Sequence, residues 1–206
     1  MKKLAVCLFL GLLASTVSAQ RPETGSLSLM PKVGVALSKF SDHTIYSSLG
    51  SGMDRENKAK FGPGFSVDLE GEYIAHPNIG VSLGLMYAHE GTDHDLKGAE
   101  VGLDYLNVPL MANFYVTPQL AFRLGAQVGF LMGDNVGIAY GDHGVTEASS
   151  FNSVDFSIPI GVQFEYQRLM LGMRYNWGLT RVFKDSDYFK EKNQVIQIDL
   201  GYRLTL

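Results

Sequence analysis

The chain has 206 residues, a formal net charge of −4 and one cysteine. This mildly acidic balance, without any run of basic residues, argues against nucleic-acid binding. Downstream of the first nineteen residues there is no apolar run of about eighteen residues, so a transmembrane helix is excluded and any passage through a membrane must use strands.

The first nineteen residues predict an export signal that is removed. Two lysines precede an apolar stretch at residues 4–13, and residues 17–19 are small, as a signal peptidase requires. We expect the mature protein to begin at Gln20 and to form one domain over residues 20–206. That part has no cysteine and a net charge of −6, from 15 basic against 21 acidic residues, so disulfide bonds cannot stabilise it.

Eight segments of the mature part alternate between an apolar face and a face of polar or small residues, which predicts β-strands with two different environments. The apolar face of the first four segments comprises Leu27, Leu29, Pro31, Val33, Val35, Leu37; Phe61, Phe65, Val67, Leu69, Tyr73; Ile79, Val81, Leu83, Leu85, Tyr87; and Leu106, Val108, Leu110, Ala112, Phe114. That of the last four comprises Leu120, Phe122, Leu124, Ala126, Val128, Phe130; Val154, Phe156, Ile158, Ile160, Val162, Phe164; Leu169, Leu171, Met173, Tyr175, Trp177; and Ile196, Ile198, Leu200, Tyr202, Leu204. Each segment is long enough for a tilted strand to cross the apolar core of a bilayer.

One break in the alternation predicts a β-bulge. Val101 and Leu103 do not share the parity of Leu106 and Val108. A bulge inserts one extra residue into one strand and so shifts the phase of the pattern. We expect it near Asp104.

The connections between the segments alternate in length. Tight turns are predicted at residues 75–78, 117–119 and 167–168, and long polar loops at 41–60, 91–102, 133–152 and 181–193. Short turns at one end and long loops at the other are typical of an outer-membrane barrel with both termini in the periplasm. The sequence therefore predicts an all-β fold, an eight-stranded antiparallel up-and-down transmembrane β-barrel.

Alternation alone is shared with soluble barrels, whose apolar face points inward, but the composition of the two faces decides between them. The polar face carries nearly all of the strand glycines, with Gly71 as the exception, and an eight-stranded barrel has room for little else inside. Charges of both signs also lie on this face, and we expect them to pair inside the lumen: Lys32, Arg123, Arg174 and Arg203 with Asp68, Glu70, Glu72, Asp155, Glu165 and Asp199. The apolar face is aliphatic, with aromatic residues near the segment ends as in a lipid-facing band: Phe40, Tyr73, Tyr87, Phe114, Phe130, Tyr166 and Trp177.

Several residue groups have types that could carry chemistry. Glu70 and Glu72 could act as an acid–base pair but are expected to fill the lumen. Residues 92–95 and Asp142-His143 contain metal-ligand types without a recognised spacing, so no metal site is predicted.

Small outer-membrane barrels can also be enzymes that modify lipid A, and the deacylase type would need a His-x-Ser pair. None of the five histidines has a serine two positions later. His89, on the apolar phase near an outer rim and beside Glu90, is the best single candidate for a role other than structure, although interfacial anchoring also explains it. No catalytic or cofactor-binding residue and no cofactor is predicted.

Three stretches carry a family resemblance. Residues 105–110, YLNVPL, resemble a strand of the PorT-like outer-membrane β-barrel family common in Bacteroidetes, and residues 155–182 are similar to the family's hairpin of G-x-x-x-E-Y, a tight turn and R-Y-x-x-G-L. Residues 197–206 resemble its last strand, except that the chain ends on Leu206 where phenylalanine is frequent. The resemblance implies a barrel in the outer membrane and does not by itself specify an activity.

Together these observations favour a non-enzymatic outer-membrane barrel with its lumen plugged by its own side chains. Its partners would be outer-membrane lipid or lipopolysaccharide and an extracellular or envelope protein bound through the long loops, in a structural, adhesive or complex-forming role. The alternatives are a lipid-modifying barrel enzyme, an accessory component of a secretion or gliding system, and a soluble lipocalin-like carrier.

Overall fold

Antiparallel strands account for nearly all of the polypeptide in the computed structural model, which describes residues 23–40, 60–93, 99–138, 152–181 and 192–206. The predicted export signal therefore lies outside the described residues, as do His94, Asp95, Asp142 and His143. The strands are β1 Leu27–Phe40, β2 Lys60–His76, β3 Ile79–Asp93, β4 Ala99–Tyr115, β5 Leu120–Ile138, β6 Val154–Tyr166, β7 Leu169–Arg181, β8 Lys192–Tyr202 and β9 Leu204–Thr205. No helix in these ranges is long and apolar enough to cross a membrane.

The sheet closes on itself. Consecutive strands from β1 to β8 pair antiparallel with one another, and β1 also pairs with β8. The short β9 continues β8 beyond Arg203 and also pairs with β1. β8 and β9 therefore occupy one strand position, and the barrel has eight strands around its circumference. The predicted eight-stranded antiparallel barrel is confirmed.

The two faces of the wall have the predicted orientation. Outward side chains are apolar and exposed, for example Val33 at 60% and Leu200 at 61%, whereas inward Glu70 is fully buried. Most of the predicted aromatic residues of the outer face are also exposed: Tyr73, Tyr87, Phe114, Phe130, Tyr166 and Trp177. Burial of charge together with exposure of aliphatic surface is the reverse of a water-soluble protein and is what a lipid surrounding requires.

Two of the predicted loops start too early. β3 continues to Asp93, β4 begins at Ala99 and β5 extends to Ile138, so parts of residues 91–102 and 133–152 are strand. Backbone pairing needs only a partner strand, so the hairpins continue past the end of the apolar alternation. The prediction was wrong there because it read the end of the apolar pattern as the end of the strand.

The predicted bulge near Asp104 is confirmed, but its extra residue lies in the neighbouring strand. Tyr105 pairs with Leu131 and Asp104 pairs with Gly133, which leaves Met132 of β5 without a partner in β4. Alternation along β4 itself is unbroken, because Leu103 points into the lumen and is 2% exposed. The alternation breaks in the sequence because Leu103, an apolar residue, points into the barrel.

The tight turns lie at one rim of the barrel, and so do the first and last described residues of the chain. This rim is called here the turn rim. Gly25 N donates to Ile74 O, and Leu206 N donates to Leu27 O. The β6–β7 turn consists of Gln167 and Arg168, with φ of 48° and 73°, which are the two left-handed positions of a type I′ hairpin turn. The opposite end is called the distal rim.

Candidate functional site in the barrel interior

The interior next to the turn rim is organised by Arg203. Its NH1 lies 2.6 Å from Glu72 Oε2, and its Nε lies 2.8 Å from Glu165 Oε2. Its NH2 donates to the hydroxyl of Tyr115 over 3.1 Å, and this hydroxyl donates in turn to Glu72. β8 and β4 are on opposite walls of an eight-stranded barrel, so the Arg203 side chain reaches across the lumen to Tyr115. Ile74 and Ala121 pack against Tyr115 at this end.

A second group of contacts surrounds Arg123 in the next layer of the lumen. Glu70 accepts from Arg123 NH2 with one oxygen and from Lys32 Nζ, at 2.6 Å, with the other. Arg123 also donates to Asn113 Oδ1 over 2.8 Å and to Gln163 Oε1 over 3.1 Å. The side chains involved project from β1, β2, β4, β5 and β6, and all are buried. A planar guanidinium with several donors suits such a junction, because it can satisfy acceptors from several strands at once.

The third layer contains Arg174, which uses an amide partner. Its Nε and NH2 donate to Gln197 Oε1 at 3.0 and 2.9 Å, and Gln197 Nε2 donates to Ser66 Oγ over 2.9 Å. The guanidinium also contacts the Met86 sulfur on the opposite wall. Because Arg174 has this neutral partner, the predicted pairing of all four cations with carboxylates is only partly correct.

The predicted carboxylates have different environments. Glu70, Glu72 and Glu165 form ion pairs, whereas Asp155 accepts a hydrogen bond from Thr180. One oxygen of Asp68 and one of Asp199 are buried without a hydrogen-bond partner among the described residues. Glu70 pairs with Lys32 and Arg123, whereas Glu72 pairs with Arg203.

Glycine makes the space for these side chains. A Cβ built on Gly84 would lie 3.0 Å from Asp68 Oδ1, and one on Gly172 would lie 2.8 Å from Asp199 Cγ. At Gly125 the added atom would overlap the backbone oxygen of Leu110. The glycine bias of the polar face therefore has a steric cause, as the sequence predicted.

A polar cavity, called here the distal cavity, lies between the Arg174 layer and the distal rim. Its space of about 240 Å³ includes open solvent at the mouth, and side chains from β3 to β8 line it. Those that define its chemistry are Glu90, Tyr105, Asn107, Gln127, Asp155 and Asn176. Glu90 accepts a hydrogen bond from Asn193 Nδ2.

His89 lies on the outward face, as predicted, but its partner is Asp104 and not the adjacent Glu90. His89 Nδ1 is 2.7 Å from Asp104 Oδ1, to which Tyr87 OH also donates over 2.8 Å. Phe65 stacks on the imidazole at a centroid distance of 5.7 Å. His89 and Asp104 are directly paired in the β3–β4 ladder, which explains the contact. The cluster orients an imidazole at the outer surface of the barrel.

Metal-ligand residue types do not converge in groups of three within the described ranges. Sequence reasoning had also not found the inward direction of Glu90 and Asn193 or the Tyr115 contact with Arg203. Glu90 could have been found, because it alternates with His89 in a strand that continues past residue 90. The contacts across the lumen have no signal in a single sequence, since they depend on how far the strands are staggered.

Comparisons with known proteins agree with this geometry. A family model described as "Outer membrane protein beta-barrel domain" matches residues 16–184. The structure is similar to Neisserial surface protein A (NspA), at 13% identity over 85% of this chain and 97% of that chain with a TM-score of 0.52. It is also similar to the outer membrane protein OprG of Pseudomonas aeruginosa, at 13% identity over 90% and 99% with a TM-score of 0.51. At these identities the similarity shows the fold alone. The search of curated proteins gave no match.

Proposed function

Because the chain belongs to the outer membrane protein beta-barrel domain family, we propose that it is a non-enzymatic outer-membrane barrel whose lumen is blocked by its own side chains. This proposal rests on two arginine side chains that each cross the lumen to the opposite side of the barrel. Arg203 contacts Tyr115, and Arg174 contacts Met86, each pair being four strands apart around the barrel. The Arg123 junction lies between these two crossings and adds buried contacts to Glu70 and Gln163.

Conductance across a planar bilayer tests the blocked lumen. Purified, folded protein is expected to give no stable ohmic current, since water and ions would have to pass three layers of charge-assisted contacts. Migration on a detergent gel before and after boiling supplies the control, because a folded barrel migrates differently in the two states. A stable channel from protein that passes this control would contradict the proposal.

We further propose that the turn rim faces the periplasm and the connections at the distal rim face the outside. The first and last described residues of the chain lie at the turn rim, which supports this orientation. The only natural cysteine is Cys7, so single cysteines can be placed at Asn78 in a tight turn and at Ser48 in the β1–β2 connection. A membrane-impermeant maleimide should label Ser48→Cys on intact cells and Asn78→Cys only after lysis. The reverse pattern would overturn the orientation.

The role at the surface is proposed to lie in the distal connections, through adhesion, surface protection or association with an envelope complex. If the lumen is blocked, a partner can reach only these connections and the lipid-facing surface of the barrel. Replacing residues 41–59 by a short turn should leave the boiled and unboiled gel mobilities distinct while abolishing adhesion or shrinking the complex on a native gel. If neither property changes, this connection does not carry the role. The narrower PorT-like assignment and a part in secretion or gliding remain predictions.

The second candidate, a lipid-modifying enzyme, is favoured by one observation, the outward His89–Asp104 pair. Such a pair holds an imidazole in one orientation and could serve as a base toward a lipid headgroup. Mass spectrometry of lipid A from cells with and without the protein tests this alternative. An acylation pattern that depends on the protein and is abolished by His89→Ala, but retained in the outward control Phe130→Ala, would replace our proposal.

A further inference from the structure

The distal cavity contains polar atoms that the protein itself leaves unsatisfied. Gln127 Oε1, Asn176 Oδ1 and Asn107 Nδ2 have no hydrogen-bond partner among the described residues, and their side chains are 3–4% exposed. Each unsatisfied buried group costs on the order of 1–3 kcal/mol. Three such groups along one cavity indicate that something other than the chain completes their coordination.

Size and charge restrict what that component can be. The interior of the cavity has room for about one water-sized particle, so an organic ligand such as a sugar does not fit. Glu90 and Asp155 contribute two carboxylates, while Tyr105, Ser157 and the amides are neutral. Arg174, in the adjacent layer, donates to Gln197 instead. The surroundings of the particle are therefore rich in oxygen and negatively charged.

We propose that the distal cavity binds a single hard divalent cation, such as Ca²⁺, through Glu90, Asp155, Gln127 and Asn176. Two carboxylates balance a divalent charge, and carboxylate, amide and hydroxyl oxygens are the ligands that Ca²⁺ takes in its coordination by six to eight oxygens. The lining side chains offer no sulfur or imidazole, which Zn²⁺ prefers. Asn107 can present its oxygen after a half-turn of its terminal amide, and the hydroxyl groups of Tyr105 and Ser157 line the same space.

Tyr105 makes the site observable. Terbium(III) replaces Ca²⁺ at oxygen sites and emits when a neighbouring tyrosine absorbs light and transfers the energy. Folded protein in detergent, titrated with terbium, should give a saturable tyrosine-sensitised signal that excess Ca²⁺ displaces. The paired variant Glu90→Gln with Asp155→Asn keeps the side-chain shapes and should reduce the signal at least tenfold. Glu23→Gln, which removes one carboxylate from an exposed position, should retain it.

A second measurement separates binding from loss of fold. Ca²⁺ should raise the denaturant midpoint of the wild-type protein and of Glu23→Gln, but not that of the paired variant. The paired variant must also migrate differently before and after boiling; if it fails to fold, Asn176→Leu provides the same test with both carboxylates in place. A terbium signal and a Ca²⁺-dependent midpoint that persist in these variants would overturn the proposal, and so would the absence of both effects in the wild type.

Discussion

Arg203, which follows β8, and Glu72 of β2 form a buried ion pair of 2.6 Å although they are 131 positions apart in the sequence. β1 lies between β8 and β2 in the sheet, so the ion pair spans the width of β1. It therefore links, within the lumen, two parts of the sheet that are not hydrogen-bonded to each other.

Removing one charge of this pair should destabilise the barrel strongly. Glu72→Gln leaves Arg203 buried with only Glu165 as a charged partner. We expect a loss of about 3 kcal/mol in the free energy of unfolding, because the guanidinium keeps its desolvation cost while it loses one of its two carboxylates. Urea unfolding followed by fluorescence of Trp177, the single tryptophan, measures it. The double variant Glu72→Gln with Arg203→Gln should lose less than the sum of the two single variants. Additive losses would mean that the two side chains are not coupled.

Glycine substitutions should separate the two faces of the wall. Gly125→Ala places a Cβ against the Leu110 backbone oxygen and should cost about 1–3 kcal/mol through overpacking. Gly71→Ala adds the same methyl group on the outward face, where the nearest atom is Leu83 O at 3.9 Å. There the effect should be neutral or stabilising by about 0.5–1 kcal/mol, since alanine restricts the unfolded chain. Equal effects of the two substitutions in urea unfolding would contradict the steric account of the lumen glycines.

A charge on the lipid face should be penalised according to depth. Leu83 and Leu27 are similarly exposed, at 57% and 48%, but Leu83 lies in mid-strand and Leu27 opens β1 at the turn rim. Leu83→Arg is expected to cost about 2–4 kcal/mol and Leu27→Arg about 0–1 kcal/mol, as for arginine at the midplane and near the interface of a bilayer. Unfolding measured in lipid vesicles makes the comparison. If Leu83→Arg is tolerated as well as Leu27→Arg, the surface at Leu83 does not face the apolar core.

The β6–β7 turn should accept a better sequence. Gln167 and Arg168 both have positive φ, which costs an ordinary residue roughly 1–2 kcal/mol. Replacing the two by Asn-Gly, the preferred pair of a type I′ turn, should raise the denaturant midpoint without changing the denaturant dependence of the unfolding free energy. Pro118→Gly in the β4–β5 turn is the control, since it relieves no positive φ and should not stabilise. A lower midpoint for Asn-Gly would indicate that the side chains of Gln167 or Arg168 contribute contacts that outweigh the strain.

The sequence predicted the orientation of nearly every described strand residue, and the reason is local. Alternation fixes which side chains share a face, and the glycines and charges on that face identify it as the interior. The pairing of Arg203 with Glu72 could not be predicted in the same way, because it depends on the stagger between strands that are far apart along the chain. The true end of β3 at Asp93 was also not predicted, since its last residues resemble a loop. The His89–Asp104 pair was missed because it depends on the register between β3 and β4.

The closure of the sheet has a consequence for folding. Every other ladder of the long strands joins consecutive hairpin partners, but the seam of β1 with β8 brings Lys32 opposite Gly201 and can form only after nearly the whole domain is synthesised. Until then, two strand edges would expose unpaired amides and carbonyls, a state that the hydrocarbon interior does not tolerate. Insertion should therefore be nearly all-or-none, and a chain truncated before residue 192 should accumulate as an aggregation-prone species outside the bilayer.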